Sequence, residues 1–166
     1  GKPLSEPEVR ASILLRANTL ARGHSGVTLE LIEALLNLLN KAIHPWIPEQ
    51  GSVGACGDLA PLAHLALVLI GEGRAYVDGE LMLGAEALEK SKLSPYALKA
   101  KEGLSLINGT QIMTAICALT LVKAEALLYF ADLAGAMSIE AVAGSALPFD
   151  PDIQAIRPHE GQKEVA

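Results

Sequence analysis

A run of small residues in this chain ends where a strongly apolar stretch begins. Residues 51–57 read GSVGACG, and residues 59–71 are apolar around nearly the whole helical projection. Glycine accepts backbone angles and close approaches that a Cβ forbids, so the small residues predict a sharply bent turn. The apolar stretch predicts a buried helix with Asp58 as its N-cap. A strained turn at the start of a helix is a favourable place for chemistry.

Residues that favour strands are scarce. Of the 166 residues 51% are hydrophobic, but only 4% are aromatic. The excess consists of Ala and Leu, which favour helices, whereas strands are enriched in aromatic and β-branched residues. This composition predicts an all-α fold, and the length suits a single domain over residues 1–166.

Helix signals recur along the chain. Ser5 and Glu8 are spaced as a capping box, which predicts a helix to about Ala21. Apolar residues at helical spacing predict a second helix from Leu29 to near His44. Further helices are predicted over residues 94–101, 111–132 and 135–143, and residues 148–151 and 157–162 are predicted to be loop-like.

One strand pair is plausible in the sequence. Residues 76–82 read YVDGELM, and Asp-Gly between apolar residues is typical of a tight hairpin turn. We therefore expect a small hairpin near residues 75–83 that serves as a connection.

Charge and patterning exclude several classes of partner. The net charge is −6 and the basic residues are scattered, so we expect no nucleic acid to bind. The longest apolar runs, residues 65–70 and 112–122, are shorter than the roughly 20 residues that span a bilayer, so we expect no membrane segment. The four histidines show no metal-ligand spacing, and we expect no metal site.

Cysteine usage and the first residues bear on the cell compartment. Cys56 and Cys117 lie apart without a CxxC spacing, and no signal peptide opens the sequence, so we expect a cytoplasmic protein. The chain opens with Gly-Lys instead of Met, and we expect it to be a piece of a longer polypeptide. Cys117 and His64 are expected in the core, and Tyr129 is expected to serve packing.

Residues 51–64, GSVGACGDLAPLAH, resemble the signature of the histidine and aromatic amino-acid ammonia-lyases, with Cys56 where the family has serine. Three further blocks resemble the family, at residues 22–26 (RGHSG), 101–111 (KEGLSLINGTQ) and 157–162 (RPHEGQ). The resemblance covers essentially all 166 residues. It implies a central portion of the helical ammonia-lyase fold, closest to the enzymes that convert L-histidine to urocanate. Phenylalanine or tyrosine ammonia-lyases and aminomutases are the alternatives.

The resemblance also implies a prosthetic group made from the chain itself. In the family the glycine amide nitrogen of an Ala-Ser-Gly tripeptide attacks the alanine carbonyl, and loss of water leaves an electrophilic methylidene-imidazolone. Ala55, Cys56 and Gly57 match that tripeptide, and Gly54 and Gly57 allow the crowded turn that cyclisation needs. Cys56 supplies a thiol as the leaving group, so three outcomes stay open: the full ring, a ring that keeps its thiol, and an uncyclised tripeptide.

Other site residues follow from the resemblance. Asp58 would position the tripeptide for cyclisation in addition to capping its helix. Asn108 would contact the ring and the substrate, although asparagine is also common at helix starts. Leu59 and Leu104 would line the substrate pocket, although both suit a core. Gln111 would brace the same site, and Leu59 and Gln111 would begin two helices whose dipoles favour developing negative charge.

The resemblance implies partners beyond this chain. The family's tyrosine base and most of its substrate-gripping residues come from other segments and from neighbouring subunits of a homotetramer. We therefore expect a small amino-acid substrate for the parent enzyme and no appreciable lyase activity from the 166 residues alone. Two other hypotheses about function stay open. One is a thiol enzyme that uses Cys56 at a helix N-terminus. The other is a purely structural helical core that associates through its apolar faces.

Overall fold

The computed structural model describes residues 1–53 and 57–166, which are mostly helical. The helices are α1 (Glu6–Ala21), α2 (Leu29–Asn40), α3 (Leu59–Leu69), α4 (Gly84–Lys90), α5 (Glu102–Ile107), α6 (Gln111–Ala141), α7 (Pro151–Ala155) and α8 (Glu160–Val165). The strands are β1 (His44–Pro45), β2 (Arg74–Val77) and β3 (Glu80–Leu83). A helical fold with one small sheet confirms the predicted fold class.

The described residues divide into two compact units, Gly1–Leu119 and Thr120–Ala166. In the first unit α1 packs on α2 and α3 packs on α5. Its core is a cluster of fully buried aliphatic side chains, among them Ile13, Leu31, Leu35, Leu62, Leu65 and Leu106. In the second unit α7 packs on α8.

The predicted pairing of Ser5 with Glu8 is present at the start of α1. The Ser5 amide donates to Glu8 Oε2 at 2.8 Å, and the Ser5 hydroxyl donates to the same oxygen at 2.7 Å. The bond from Glu8 is the half of a capping box that satisfies the main-chain N–H of the N-cap residue. The buried side of α1 then repeats at helical spacing and includes Arg16 beside Ile13 and Leu20.

The predicted hairpin is confirmed, with one strand more than expected. β2 and β3 pair antiparallel around Asp78 and Gly79, whose φ angles of 54° and 81° match the left-handed residues of a tight turn. β1 joins the other edge of β2, with His44 opposite Tyr76. Two residues, one of them proline, carry too little pattern to predict such a strand.

Three predicted elements are wrong. Residues 94–101 are irregular, and the helix begins at Glu102 because Lys101 adopts a left-handed φ of 69° that interrupts any helix before it. The two helices predicted over residues 111–143 are one helix, α6, which tolerates Gly135 in its interior. Of the two stretches predicted to be loop-like, residues 148–151 contain the first residue of α7, and residues 157–162 contain the start of α8.

Helix α6 departs from the sequence expectations in its apolar surface. Within residues 1–53 and 57–166, α6 alone is long and apolar enough to cross a membrane, with a hydropathy of 1.7. The uninterrupted apolar runs of the sequence do not predict such a helix, because small and weakly polar residues separate the apolar runs that α6 joins. Length and composition are weak evidence for a membrane span, since core helices of soluble proteins share them.

Two side chains of α6 are more exposed than their predicted packing roles imply. Cys117 is exposed, so its predicted core position is wrong. Tyr129 is 66% exposed and contacts Phe130.

Candidate functional site

Two distant glycines bring the predicted site together. Gly57 and Gly109 form an isolated parallel bridge, and the amide of Asp58 donates to the Gly109 carbonyl at 3.2 Å. Gly57 has a φ of 76°, and a Cβ there would lie 3.2 Å from Thr110 and Met113 side-chain atoms. The bridge therefore requires glycine at position 57, and it joins the start of α3 to the start of α6.

Of the three predicted prosthetic-group residues, Gly57 lies at this bridge. Ala55 and Cys56 fall outside the described residues, so their prediction stays a prediction. Of the residues on either side, Ser52 and Gly57 are in contact: Ser52 Oγ donates to the Gly57 carbonyl at 3.1 Å. This bond joins residues 52 and 57 directly.

Asp58 is fully buried. The prediction that its side chain caps α3 is wrong. No side-chain hydrogen bond caps α3. Asp58 Oδ2 instead accepts from the Met113 amide of α6 at 2.9 Å. The reason is geometric: the Gly57–Gly109 bridge places the open N–H groups of α6 within reach of the carboxylate. Within the described residues the second oxygen, Oδ1, is buried without a partner.

Arg16 holds the other side of the same turn. Its side chain is 2% exposed. Nη2 donates to the Asn108 carbonyl at 3.0 Å and to the Ser105 carbonyl, and Nη1 donates to Gln111 Oε1 at 2.7 Å. Burial lowers the pKa of the Arg16 guanidinium, because the charged form loses its water. One buried cation thus binds three oxygens of residues 105–111.

The Gln111 side chain bonds to two residues of α1, and its predicted bracing of the site stays a prediction. Its Nε2 donates to Thr19 Oγ1 at 3.3 Å while its Oε1 accepts from Arg16. A Cβ at Gly109 would overlap both Gln111 Oε1 and Arg16 Nη1. The side chains therefore pack directly against the main chain at position 109.

The remaining predicted site residues are exposed. Asn108 ends α5 with an extended backbone, and its side chain faces outward while Arg16 binds its carbonyl. Leu59 is 36% exposed and Leu104 is 55% exposed, so neither belongs to the core. They lie on α3 and α5, two helices that pack on each other.

Sequence reasoning missed two buried charges. Arg16 is one of the scattered basic residues, and its spacing from Ile13 and Leu20 places it on the buried side of α1. Glu102 is fully buried and accepts from the Thr28 hydroxyl at 2.8 Å, from the Tyr96 hydroxyl and from the Lys99 amide at 2.7 Å. Glu102 thereby ties the irregular stretch before α5 to the start of α2.

The histidines are dispersed over the described residues. His64 is half-buried and packs edge-on against Trp46, with ring centroids 6.1 Å apart. His44 lies within 3.5 Å of Glu6 Oε1, and burial lowers its pKa. His24 and His159 are exposed. None of the four contacts the bridge, and no group of three or more His, Cys, Asp or Glu side chains gathers in the part of the chain that the structure describes.

The chain is similar to known proteins over its whole length. The family model for aromatic amino acid lyase matches residues 1–166. The chain belongs to the aromatic amino acid lyase family. A histidine ammonia-lyase of Sorangium cellulosum is 57% identical over the whole chain, which spans 32% of that protein.

Solved structures of aromatic amino acid lyases and their relatives share this fold. Histidine ammonia-lyase from Trypanosoma cruzi matches 99% of the chain with a TM-score of 0.93 and 41% identity. A phenylalanine aminomutase of Pantoea agglomerans matches 99% of it with a TM-score of 0.94 and 41% identity. The chain covers 33% and 32% of those two chains, so it spans about a third of the relatives it matches.

Proposed function

We propose that this chain is the part of an amino-acid ammonia-lyase that forms and holds the methylidene-imidazolone, and that the full-length protein converts L-histidine to urocanate and ammonia. The prosthetic group would come from Ala55, Cys56 and Gly57, with no metal and no external cofactor. We further propose a cytoplasmic homotetramer as the parent assembly. The identity of 57% to a histidine ammonia-lyase supports histidine as the substrate.

The single observation that carries the proposal is the set of contacts that holds Gly57, which we call the clamp. It consists of the Gly57–Gly109 bridge and the hydrogen bond from Ser52 Oγ. Gly57 is the last residue of the tripeptide, and it is held by the bridge and by Ser52 Oγ. Asp58 and Asn108 are the chain neighbours of the two bridge residues. A main-chain cyclisation needs its reacting residues held in a bent conformation, and this clamp holds one of them.

The described residues fit such a group. Asp58 Oδ1 is buried without a partner, which leaves an acceptor next to Gly57 for a donor that the described residues do not supply. Gly57 already has the left-handed backbone that a bent turn requires. The chemistry that the group supplies is an electrophilic carbon, which makes the substrate amine a better leaving group.

The chain's own residues provide positioning and charge. α3 and α6 begin at Leu59 and Gln111, as predicted, and both starts adjoin the bridge. A helix start carries a partial positive charge, so negative charge that develops near the bridge is stabilised there. Asn108 offers an exposed amide for a polar contact, and Leu59 and Leu104 offer exposed apolar surface for the substrate.

The test is product formation by the full-length protein. With L-histidine we expect a steady rise of urocanate absorbance, and with the 166-residue chain alone we expect none, because the base and most substrate contacts would lie elsewhere. Absence of urocanate from active-site-intact full-length protein contradicts histidine as the substrate. Appreciable turnover by the 166 residues contradicts the assignment of the missing groups to other segments.

A second function is favoured by the similarity to the phenylalanine aminomutase, whose TM-score equals that of the lyase to within 0.01. The alternative substrates are L-phenylalanine and L-tyrosine. Mass spectrometry of the products separates the cases: urocanate or cinnamate indicates a lyase, whereas a β-amino acid indicates a mutase.

A further inference from the structure

Arg16 is a buried cation, and the residues that the structure describes give it no ionic partner. None of the ion pairs in the described residues includes it. Its acceptors are two carbonyls and one amide oxygen, all from residues 105–111. Burying a charge against uncharged groups is costly, and a carboxylate would be the ordinary compensation. All three hydrogen bonds of the guanidinium therefore go to one short segment of the chain, residues 105–111.

That segment includes the end of α5, whose C-cap is Asn108. α5 has six residues, and its last carbonyls have no partner within the helix. Arg16 binds the carbonyls of Ser105 and Asn108, so it fixes the end of α5 from inside the core. The backbone of Asn108 is held by this bond while its side chain stays exposed.

Contacts of the same guanidinium reach the next residue. Arg16 Nη1 lies so close to Gly109 that any Cβ there would overlap it. The Gly109 carbonyl accepts from the Asp58 amide. Arg16 thus supports both residues of the turn. It binds the carbonyl of Asn108, and it packs against Gly109, which pairs with Gly57.

From this geometry we infer that Arg16 is the positioning residue that sets the location of the Asn108 side chain relative to Gly57. The inference rests on the proposed function. The planar fork of arginine serves three acceptors at once, whereas the ammonium of lysine is a point charge on a flexible stem. Arg16→Lys should therefore keep the buried charge and lose the fixed geometry.

The test uses full-length protein with Arg16→Lys and the matched control Arg10→Lys. Arg10 lies on the same helix and also binds a carbonyl, that of Leu39 at 3.3 Å, away from the bridge. We expect Arg16→Lys to lower kcat about 100-fold, the loss typical of a misplaced catalytic contact. KM should change less than about threefold if the lost interaction acts mainly in the transition state.

A second readout does not depend on activity. Amide hydrogen exchange at residues 109–113 should become about tenfold faster in Arg16→Lys, since the turn loses its support. Arg10→Lys should leave kcat and this exchange within about twofold of wild type. A merely structural Arg16 would lower the melting temperature and leave kcat of the folded protein unchanged.

The outcomes separate the two proposals. Wild-type kcat and unchanged exchange in folded Arg16→Lys overturn the positioning role. If the wild-type protein lacks lyase activity, the proposed function fails, and exchange at residues 109–113 still judges Arg16. If Arg16→Lys does not fold, Gln111→Met removes one of the three bonds; we expect faster exchange at residues 109–113, and unchanged exchange overturns the role.

Discussion

Asp58 precedes α3 in the chain, yet its carboxylate caps α6: Oδ2 accepts the Met113 amide at 2.9 Å. The bond locks together two helix starts that are more than fifty residues apart. Arg16 binds the other side of the turn that leads into α6. Two buried opposite charges therefore hold the Gly57–Gly109 bridge from two sides.

Removing the Asp58 carboxylate should destabilise the fold. We expect Asp58→Ala to lower the free energy of unfolding by about 1–2 kcal/mol, because the first turn of α6 loses its cap. Asp58→Asn keeps an acceptor and loses only the charge at the helix start, at a cost of about 0.5 kcal/mol. Urea unfolding measures both changes.

The control for Asp58 is Asp150, an exposed aspartate that caps its own helix by accepting from the Asp152 amide at 2.9 Å. Asp150→Ala should cost less than Asp58→Ala, because water can replace an exposed cap. Equal losses in the two variants would show that the link between α3 and α6 adds nothing.

These two residues show how far the sequence leads. The run of small residues before Asp58 indicates that this residue lies at a functional turn. The preference of aspartate for N-caps predicts a bond to α3, the helix that Asp58 precedes. The actual partner, Met113, comes from a tertiary contact that local spacing does not contain. For Arg16 the helical period indicates a buried side of α1, but its partners lie about ninety residues away. No local pattern identifies them.

The fold shows the same division. The capping box at Ser5 and the Asp78-Gly79 turn were predictable because each depends on neighbouring residues. The helix predicted over residues 94–101 was wrong because Glu102, rather than a helical ladder, accepts the Lys99 amide. Long-range hydrogen bonds decided that stretch against its local signals.

Gly109 should tolerate no side chain. We expect Gly109→Ala to destabilise the fold by about 1–3 kcal/mol, because its Cβ overlaps Arg16 and Gln111 and both are tied by hydrogen bonds. Gly135→Ala is the matched control, since a Cβ there meets no atom within 4 Å and lies inside α6. The control should be neutral or stabilising by up to about 1 kcal/mol. Thermal unfolding of both variants checks the difference, and a neutral Gly109→Ala contradicts the packing described.

Glu102 should make stability depend on acid pH. Burial raises the pKa of its carboxyl, but hydrogen bonds from Lys99, Thr28 and Tyr96 outweigh burial and bring it below the ordinary 4.5. The unfolded chain therefore binds the proton first as pH falls, so this stabilisation is present above about pH 4.5 and is lost below it.

Glu102→Gln should accordingly be less stable than wild type at pH 7, with a difference that shrinks as pH falls through 4.5 toward 3. Glu33→Gln, an exposed change on α2, should alter the free energy of unfolding by less than about 0.5 kcal/mol. Chemical denaturation across this pH range provides the measurement. A difference that stays constant with pH would rule out Glu102 as the source.

The apolar surface of α6 should make the 166-residue chain associate by itself. Its exposed side chains in the second unit include Leu121, Val122, Leu127, Leu128, Phe130 and Leu133. Large exposed apolar patches mark interaction surfaces or cause aggregation. We expect Leu121→Glu with Leu128→Glu to reduce the apparent mass in light scattering, whereas Leu98→Glu in the first unit should not. A compact wild-type monomer at high concentration contradicts this expectation.

The most direct measurement is the mass of the peptide that holds the tripeptide. Trypsin should release residues 42–74 intact, because no Lys or Arg lies between Lys41 and Arg74. After denaturation and iodoacetamide treatment of full-length protein, we predict that this peptide is unalkylated and lighter by one water and one hydrogen sulfide. The peptide of residues 102–123 should be alkylated at Cys117, which serves as the internal control. A 42–74 peptide of full mass that carries the alkyl group on Cys56 would contradict the formation of the prosthetic group.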